Sequence, residues 1–305
     1  MYRRILMPSK PFAMKRHIEF FDRAHFENHY LRVLPPPDLR PYIDFFWETD
    51  FDPIWNEYPD GFSDALFPNL GYTYLINLGN TFTMQAGKET SVLKTDSLLP
   101  RYNGVECFHK PGNHLFGIKF RVTPVLLERK INFSEYQGYV FPLSYLLNPD
   151  IIAAVKKAGR FAERVAILSD YFSTILEAYS GAQHPVHIIA GVLHTAYKEN
   201  NFAPSLPGIA EKYKISGRTL QRYFEACTGT SSKKALQVIR IRKATEHLIK
   251  SPATFSHLAY GYYDYSHFYK HFKQFLSENT FDNKKLHLPL LKGLQKKAGV
   301  EEMAG

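Results

Sequence analysis

Two segments near the end of the chain repeat one arrangement of apolar and polar positions. Leu220 and Phe224 stand four residues apart in the first, as do Phe268 and Phe272 in the second. Side chains four positions apart lie on one face of an α-helix, so each pair predicts a helix with a buried back. The positions between them are polar: Arg218, Gln221 and Arg222 in the first segment, and His267, Lys270 and His271 in the second. Arg can bridge guanine and Gln can bridge adenine, so these helices favour a tandem helix-turn-helix module that reads a major groove.

The chain before these helices has a different pattern of apolar and turn-forming residues. Between residues 30 and 141, short aromatic and β-branched runs alternate with Pro, Gly and Asn, which predicts an all-β sandwich or barrel. Tyr72–Leu78 and Leu115–Val122 are the most strand-like runs, while Leu39–Phe46 could begin as a short helix. After Pro149 the spacing of apolar residues predicts helices. The first predicted helix has Asp150 as its N-cap, followed by an apolar run. Further helices are predicted over Phe161–Tyr179, Val186–Glu199 and Gly208–Tyr213.

The predicted fold class is therefore α+β, with a β-rich domain followed by an all-α domain that carries two helix-turn-helix units. A chain of 305 residues has room for two cores. We divide it into an N-terminal extension (1–29), a β-rich domain (30–148), a helical connector and linker (149–183), a helical domain (184–287) and a tail (288–305). The extension could hold a helix over Met14–Phe26 or be a mobile arm.

The positive charge is concentrated in the second half of the chain. Residues 1–180 carry 20 basic and 20 acidic side chains, whereas residues 181–305 carry 18 and 9, which accounts for the net charge of +9. A basic domain joined to a neutral one is typical of a protein with a polyanionic partner. Charge alone fits a merely basic domain equally well, and the helix pattern is what favours a nucleic acid.

Other classes of protein find little support in the sequence. Cys107 and Cys227 fit neither a disulfide framework nor a zinc spacing, which favours a reducing cytoplasm. No apolar run approaches the roughly 18 residues of a membrane span, and Pro8, Lys10 and Pro11 interrupt any secretory signal. Nucleotide, hydrolase and metalloprotease motifs are missing from the sequence, so we expect neither an enzyme nor a cofactor.

Many further residues stand in register with the two predicted helices. They are Ile209, Ala210, Ser216, Arg218, Leu220, Gln221, Arg222 and Phe224 in the first unit; Gly229, Thr230 and Ser231 in the turn after it; Arg240, Arg242 and Ala244 in the intervening segment; and Leu258, Ala259, Gly261, Asp264, Ser266, Phe268, Phe272 and Lys273 in the second unit. With these residues the stretch from 184 to about 285 resembles the DNA-binding domain of the AraC/XylS transcriptional regulators.

The resemblance implies a DNA interface on both units. Its residues would be Ser216, Gly217, Arg218, Gln221 and Arg222 in the first unit, and Tyr265, Ser266, His267 and Lys270 in the second. Ser216 can cap the first helix so that its positive end faces phosphate. A central helix over Ser232–Ile249 would hold the two reading helices in successive major grooves, about 34 Å apart. Arg240, Arg242 and Lys243 are expected to be structural or to contact phosphate.

Partners also follow from the resemblance. They are promoter DNA, RNA polymerase, a small-molecule effector and a second copy of the chain, with no membrane. Residues 30–48 and the later strand-like runs resemble an uncharacterised cupin-like domain that precedes AraC-type modules, which implies a sensor or assembly role and no particular ligand. Two of its residues, His109 and His114, follow Glu106 rather than preceding it, so we expect no cupin metal site.

The chain departs from the family in its second unit. About two residues are missing between Ala259 and Gly261, and two residues turn a helix by roughly 200°. The first helix of this unit should therefore be cut short or repacked. Ser232 replaces a family proline, and Ser277–Thr280 lacks the closing Gly and Pro. The second reading helix is accordingly expected to be displaced, weakened or used for phosphate alone.

Three alternatives stay open at this point. The aromatic side chains Phe45, Phe46, Trp47, Trp55, Tyr72 and Tyr74 should mostly be core, with a minority lining a ligand cavity. The whole protein could be a ligand-binding or enzymatic cupin-like protein whose helical domain has lost specific DNA binding. It could also be an interaction protein whose basic domain binds an acidic partner other than DNA.

Overall fold

The computed structural model describes residues 14–87, 89–136, 140–180, 184–202 and 205–277. The strands are β1 (Lys15–Ile18), β2 (Leu31–Val33), β3 (Ile43–Asp50), β4 (Phe62–Leu66), β5 (Tyr72–Asn77), β6 (Phe82–Ala86), β7 (Glu89–Leu93), β8 (Ser97–Pro100), β9 (Val105–Phe108), β10 (His114–Phe120) and β11 (Phe141–Pro142). The α-helices are α1 (Arg23–His29), α2 (Asp52–Glu57), α3 (Pro149–Lys157), α4 (Phe161–Ala178), α5 (Pro185–Glu199), α6 (Leu206–Lys212), α7 (Gly217–Thr228), α8 (Ser232–Lys250) and α9 (Tyr265–Ser277).

The strands form two sheets, as the alternating runs predict. One sheet has the order β1-β4-β9-β6-β7, and the other has the order β11-β8-β5-β10-β3-β2. Alternate residues of β5 and β10 face opposite ways. Leu75 and Leu115 pack into a core between the sheets, while Tyr74 and Phe116 pack into a second core that the helices share. The two central strands are therefore covered on both faces.

From residue 14 onward, the predicted N-terminal extension is not separate from the β domain. β1 pairs in parallel with β4, and Ile18 and Phe26 are only 4% and 5% exposed, so the segment is part of the β domain. Its pairing joins residues 47 positions apart, which no local pattern reveals. The run Leu39–Phe46 begins with a 3-10 helix at Pro37–Leu39 and continues as β3. Residues 1–13 and 288–305 lie outside the described residues.

The helical connector packs onto the six-stranded sheet. Phe172 of α4 meets the ring of Phe120 edge-on, with centroids 5.4 Å apart. The guanidinium of Arg164 donates to both carboxylate oxygens of Glu48 at 2.9 and 3.0 Å. The N-cap of α3 is Asn148 rather than Asp150, since Pro149 already occupies the first helical position. These helices therefore belong to the N-terminal domain.

The helical domain is docked against the β domain. α7 packs on a 3-10 helix at Phe133–Tyr136, and the hydroxyl of Tyr102 donates to the carbonyl of Thr228 at the end of α7. The core that lines the outer face of the six-stranded sheet continues through α5, α7, α8 and α9. Among the described residues no helix is long and apolar enough to cross a membrane.

Candidate nucleic-acid interface and internal cavity

The first reading helix is built as its capping residues predict. The hydroxyl of Ser216 accepts from the backbone N–H of Thr219 at 3.1 Å, which satisfies one of the free donors of the first turn. Gly217 follows as the first helical residue and is exposed. Gly229 ends α7 in the left-handed conformation, with φ of 72°, and donates to Glu225 at 2.8 Å.

α7 has one buried face and one exposed face, as the spacing of its apolar residues predicts. Leu220 and Phe224 are buried, at 2% and 0% exposure. Arg218 and Arg222 lie on the exposed face, one turn apart. Within the described part of the chain neither guanidinium has an ion pair or hydrogen bond, so both are available to an external acceptor.

Gln221 has a partner within the protein that the sequence did not indicate. Its carbonyl oxygen accepts from the hydroxyl of Ser232 at 2.8 Å and from the backbone N–H of the same residue at 3.4 Å. Its amide nitrogen donates to Glu225 at 2.7 Å. Gln221 therefore caps α8, using an N–H that a proline at position 232 would lack. The predicted contact of Gln221 with a base would require these bonds to break.

The second reading helix offers a smaller surface than the resemblance implies. Asp264 accepts from the backbone N–H of His267 at 2.6 Å and so caps α9. Tyr265 is only 6% exposed and packs edge-on against Phe268, which leaves little of its side chain for the predicted base contact. His267 and Lys270 are exposed and Ser266 is partly exposed, which leaves these three facing outward.

The expected shortening of the second unit is confirmed. A single 3-10 turn at Leu258–Tyr260 stands where the first unit has α6, and Gly261 ends it with φ of 70°. Arg240 holds this turn in place: its guanidinium lies 3.5 Å from the ring centroid of Tyr262 and donates to the Gly261 carbonyl at 2.8 Å. Arg240 is thus structural.

The other two basic residues of α8 face the body of the protein. Lys243 donates to the carbonyl of Tyr197 and the side chain of Asn200, both at 2.5 Å. Arg242 forms an ion pair with Glu19 of the β domain at 2.6 Å. Of the two roles expected for these residues, the structural one is confirmed.

The helical stretch matches a protein family. Residues 209–279 match the family model described as a helix-turn-helix domain. This stretch belongs to the AraC-type helix-turn-helix family. The AraC-type domain runs from α6 through both reading helices, and the β-rich domain precedes it.

Solved structures of AraC-type proteins resemble the chain distantly. ToxT from Vibrio cholerae O395 is 12% identical, with 72% of this chain and 91% of that chain covered and a TM-score of 0.39. Wild-type ToxT from V. cholerae strain SCE256 with a bound unsaturated fatty acid is 11% identical, covering 70% and 86%, with a TM-score of 0.37. The AraC-like transcriptional activator CuxR is 12% identical, covering 78% and 92%, with a TM-score of 0.25. No curated protein matches the chain.

A cavity of about 400 Å³ connects the inside of the β domain with the AraC-type domain. Its inner walls are apolar and come from both sheets: Leu75, Phe82, Leu99, Val105 and Leu115. Its other end reaches Ile239, Arg242 and Glu246 on α8. Of the aromatic residues singled out in the sequence, Phe45 and Trp47 line it, which confirms that a minority do.

Polar groups in this cavity lack partners within the protein. Thr73 and Arg101 line it and are only 3% and 8% exposed. Among the described residues, the Thr73 hydroxyl and the Arg101 Nε have no hydrogen-bond partner. Buried polar atoms are rarely left unsatisfied, so these two atoms mark a place where a polar ligand group would be stabilised.

The residues that might suggest a cupin metal site have separate partners. Glu106 pairs with Arg16 at 2.6 Å, and His114 lies 3.0 Å from Glu48. His109 bonds to Asn113 at 2.7 Å. In the described ranges no group of three His, Cys, Asp or Glu side chains is arranged to hold a metal ion.

A buried carboxylate that no sequence pattern indicates lies 3.4 Å from His109. Asp64 is 0% exposed and accepts from Tyr30 at 2.5 Å and from His25 at 2.8 Å. Burial works to raise the pKa of Asp64, but its interactions with His109 and His25 hold it well below the usual value. Asp64 therefore stays ionised inside the sheet. Asp64 lies on β4, which pairs with β1. This pairing places α1 and the residue after it beside β4, so that His25 and Tyr30 reach Asp64.

Proposed function

We propose that this protein is a sequence-specific DNA-binding transcription regulator of AraC type, controlled by a small molecule that enters its β-rich domain. The observation that carries the proposal is the outer face of α7. There Arg218 and Arg222 project one turn apart from a Ser216-capped helix, without partners in the described part of the chain. A helix presented in this way can enter a major groove.

The positive charge of the helical domain also supports DNA binding. Residues 181–305 carry twice as many basic as acidic side chains, whereas the preceding 180 residues are balanced. Phosphate attraction would bring DNA to the helical domain, and base contacts from α7 would select the sequence. The second unit contributes fewer contacts, since Tyr265 is buried, so we infer that His267 and Lys270 mainly contact the backbone.

The cavity supports control by an effector. Its volume of about 400 Å³ lies within the range of small-molecule sites. It is lined by apolar side chains with a few polar atoms that lack partners, as binding sites usually are. Since α8 forms one of its walls, a bound molecule would touch both domains.

The test is selection of genomic fragments by the purified full chain, followed by affinity measurements at two salt concentrations. A site bound at least about a thousandfold more tightly than random DNA supports the regulator. Replacing Arg222 by Ala should reduce this preference by about 1–3 kcal/mol, whereas replacing Lys157, an exposed lysine of α3, should leave it unchanged. Binding that is equally strong on random DNA and steeply salt-dependent would contradict the proposal. The spacing of half-sites would report a second copy of the chain.

A second function is favoured by the shortened second unit. One 3-10 turn replaces a helix there, so the protein could bind its small molecule without reading DNA. It would then retain a ligand in the cavity and show no preferred genomic site. The fragment selection separates the two functions directly.

A further inference from the structure

The side-chain amide of Gln221 is held at both its oxygen and its nitrogen within the protein. The oxygen accepts from the hydroxyl of Ser232 at 2.8 Å and from the backbone N–H of that residue at 3.4 Å. The nitrogen donates to Glu225, one turn further along α7, at 2.7 Å. A glutamine bridges adenine with this same oxygen and this same nitrogen. Gln221 therefore has to give up its contacts within the protein before it can read a base.

The contact with Ser232 is the more costly one to break. Ser232 is only 3% exposed, and its hydroxyl and its backbone N–H both donate to Gln221. It is the first residue of α8, where backbone N–H groups have no partner within the helix. If Gln221 turned towards DNA, both donors would lose their acceptor in a place that water barely reaches. Glu225 is exposed, so water can replace the amide there.

The cost of releasing Gln221 is similar in size to what an adenine contact would gain. Leaving a buried donor unsatisfied lowers an equilibrium constant by about 5- to 150-fold. A bidentate contact of glutamine with adenine favours that base by about 5- to 150-fold. Because the two effects offset each other, the contact would give little net preference for adenine. Arg218 and Arg222 carry no such cost, since neither is bonded within the described part of the chain.

We propose that Ser232 is a positioning residue that withholds Gln221 from DNA, so that the first reading helix selects bases through Arg218 and Arg222. This role rests on the proposed DNA-binding function and adds to it which side chains of α7 set the specificity. Arginine bridges guanine, so the preferred site should contain guanines, and the base nearest Gln221 should vary. A residue at the start of α8 thus determines what α7 reads.

S232P is the variant that releases Gln221. Proline has neither a hydroxyl nor a backbone N–H, and it fits the first position of a helix. The preceding residue, Ser231, has φ of −66° and ψ of 153°, which is the extended conformation that a residue before proline prefers. The full chain is used to select from random-sequence DNA duplexes. Compared with the wild type, S232P should gain a preference for adenine at one position, by at least about fivefold.

Removal of Gln221 separates this effect from a general change in the helix. S232P combined with Q221A should lose the preference for adenine. Q221A alone should change each base preference of the wild type by less than about twofold, because the wild type does not read with this side chain. A base preference that Q221A alone abolishes would show that Gln221 reads DNA and would overturn the proposal. If S232P is unfolded by circular dichroism, S232A replaces it and should gain adenine to a smaller extent, since it removes only the shorter bond.

A double-mutant cycle tests the hold on Gln221 without DNA. In urea unfolding, Q221A and S232A should depart from additivity by about 2- to 12-fold in the unfolding equilibrium constant, which corresponds to one hydrogen bond. Additive effects would overturn the role of Ser232, even where a preferred site shows that the proposed regulator stands. The same holds if the wild type selects a site but neither S232P nor S232A gains adenine. If no variant selects a site, the regulator and the role of Ser232 both fail.

Discussion

Replacing Gly229 by Ala should destabilise the packing of the first reading helix against the β domain. Gly229 has φ of 72°, where a residue with a Cβ is strained by about 1–2 kcal/mol. A Cβ built there would stand 2.8 Å from the Tyr72 hydroxyl and 3.0 Å from the Phe133 carbonyl, and it would also meet the Tyr102 hydroxyl. Such overpacking adds about 1–3 kcal/mol, so we expect a loss of about 2–5 kcal/mol in the free energy of unfolding.

Gly261 provides the matched control, because it has the same backbone conformation in an open position. Its φ is 70°, and nothing lies within 4 Å of a Cβ placed there. Gly261→Ala should therefore cost the backbone strain alone, about 1–2 kcal/mol. The difference between the two variants measures the contact of α7 with the β domain.

Urea unfolding of the full chain, followed by far-ultraviolet circular dichroism, measures both losses. Adding Tyr102→Phe to Gly229→Ala should relieve part of the clash and give a favourable coupling of about 0.5–3 kcal/mol in a double-mutant cycle. Equal destabilisation by the two glycine substitutions, with no coupling to Tyr102, would refute the packing of α7 against the β domain.

Three further predictions concern Arg222, Phe224 and two histidines, His17 of β1 and His271 of α9. Arg222→Ala should weaken specific DNA binding by about 1–3 kcal/mol with an unchanged unfolding midpoint, and an unchanged footprint and affinity would contradict its role as a base reader. Phe224→Ala removes a side chain with 0% exposure and should cost about 3–5 kcal/mol in urea unfolding; a loss below about 1 kcal/mol would mean that this core is loosely packed. Burial lowers the pKa of His17 and of His271 to about 4, so the unfolded chain binds protons that the folded chain does not as the pH falls from about 6.5 to 4. The free energy of unfolding should therefore fall over that window, and less steeply in a His271→Gln variant, as urea titrations at several pH values would show.

The helical half was largely predictable because its determinants are local. Ser216 is followed by a helix whose Leu220 and Phe224 recur at helical spacing, and each of these features acts within about one turn. The two missing residues before Gly261 were also visible, and the single 3-10 turn there is their direct consequence. The partner of Gln221 was not predictable, since it depends on where α8 begins in space.

The β half was predictable in class but not in its contacts. Alternation along β10 identifies a strand, yet Phe116 and Lys119 are both buried, because one face packs on helices and the other lines the cavity. Because lysine side chains are mostly exposed in proteins, the sequence predicts that a lysine in a strand faces solvent. The pairing of β1 with β4 and the ion pair of Glu19 with Arg242 join residues far apart in the chain, and neither carries a local signal.

Arg242 ties α8 to the β domain through its ion pair with Glu19. α8 is one continuous helix of 19 residues that packs against both α7 and α9. Because α8 is continuous and contacts both reading helices, a displacement of α8 at Arg242, near its middle, would be expected to move both of them together. Reading two major grooves requires that their separation match one turn of DNA, about 34 Å. Release of the ion pair with Glu19 would leave that separation intact and change only the angle of the pair to the β domain. In the proposed regulator, a change at the boundary between α8 and the β domain would therefore alter DNA binding without remodelling either reading helix.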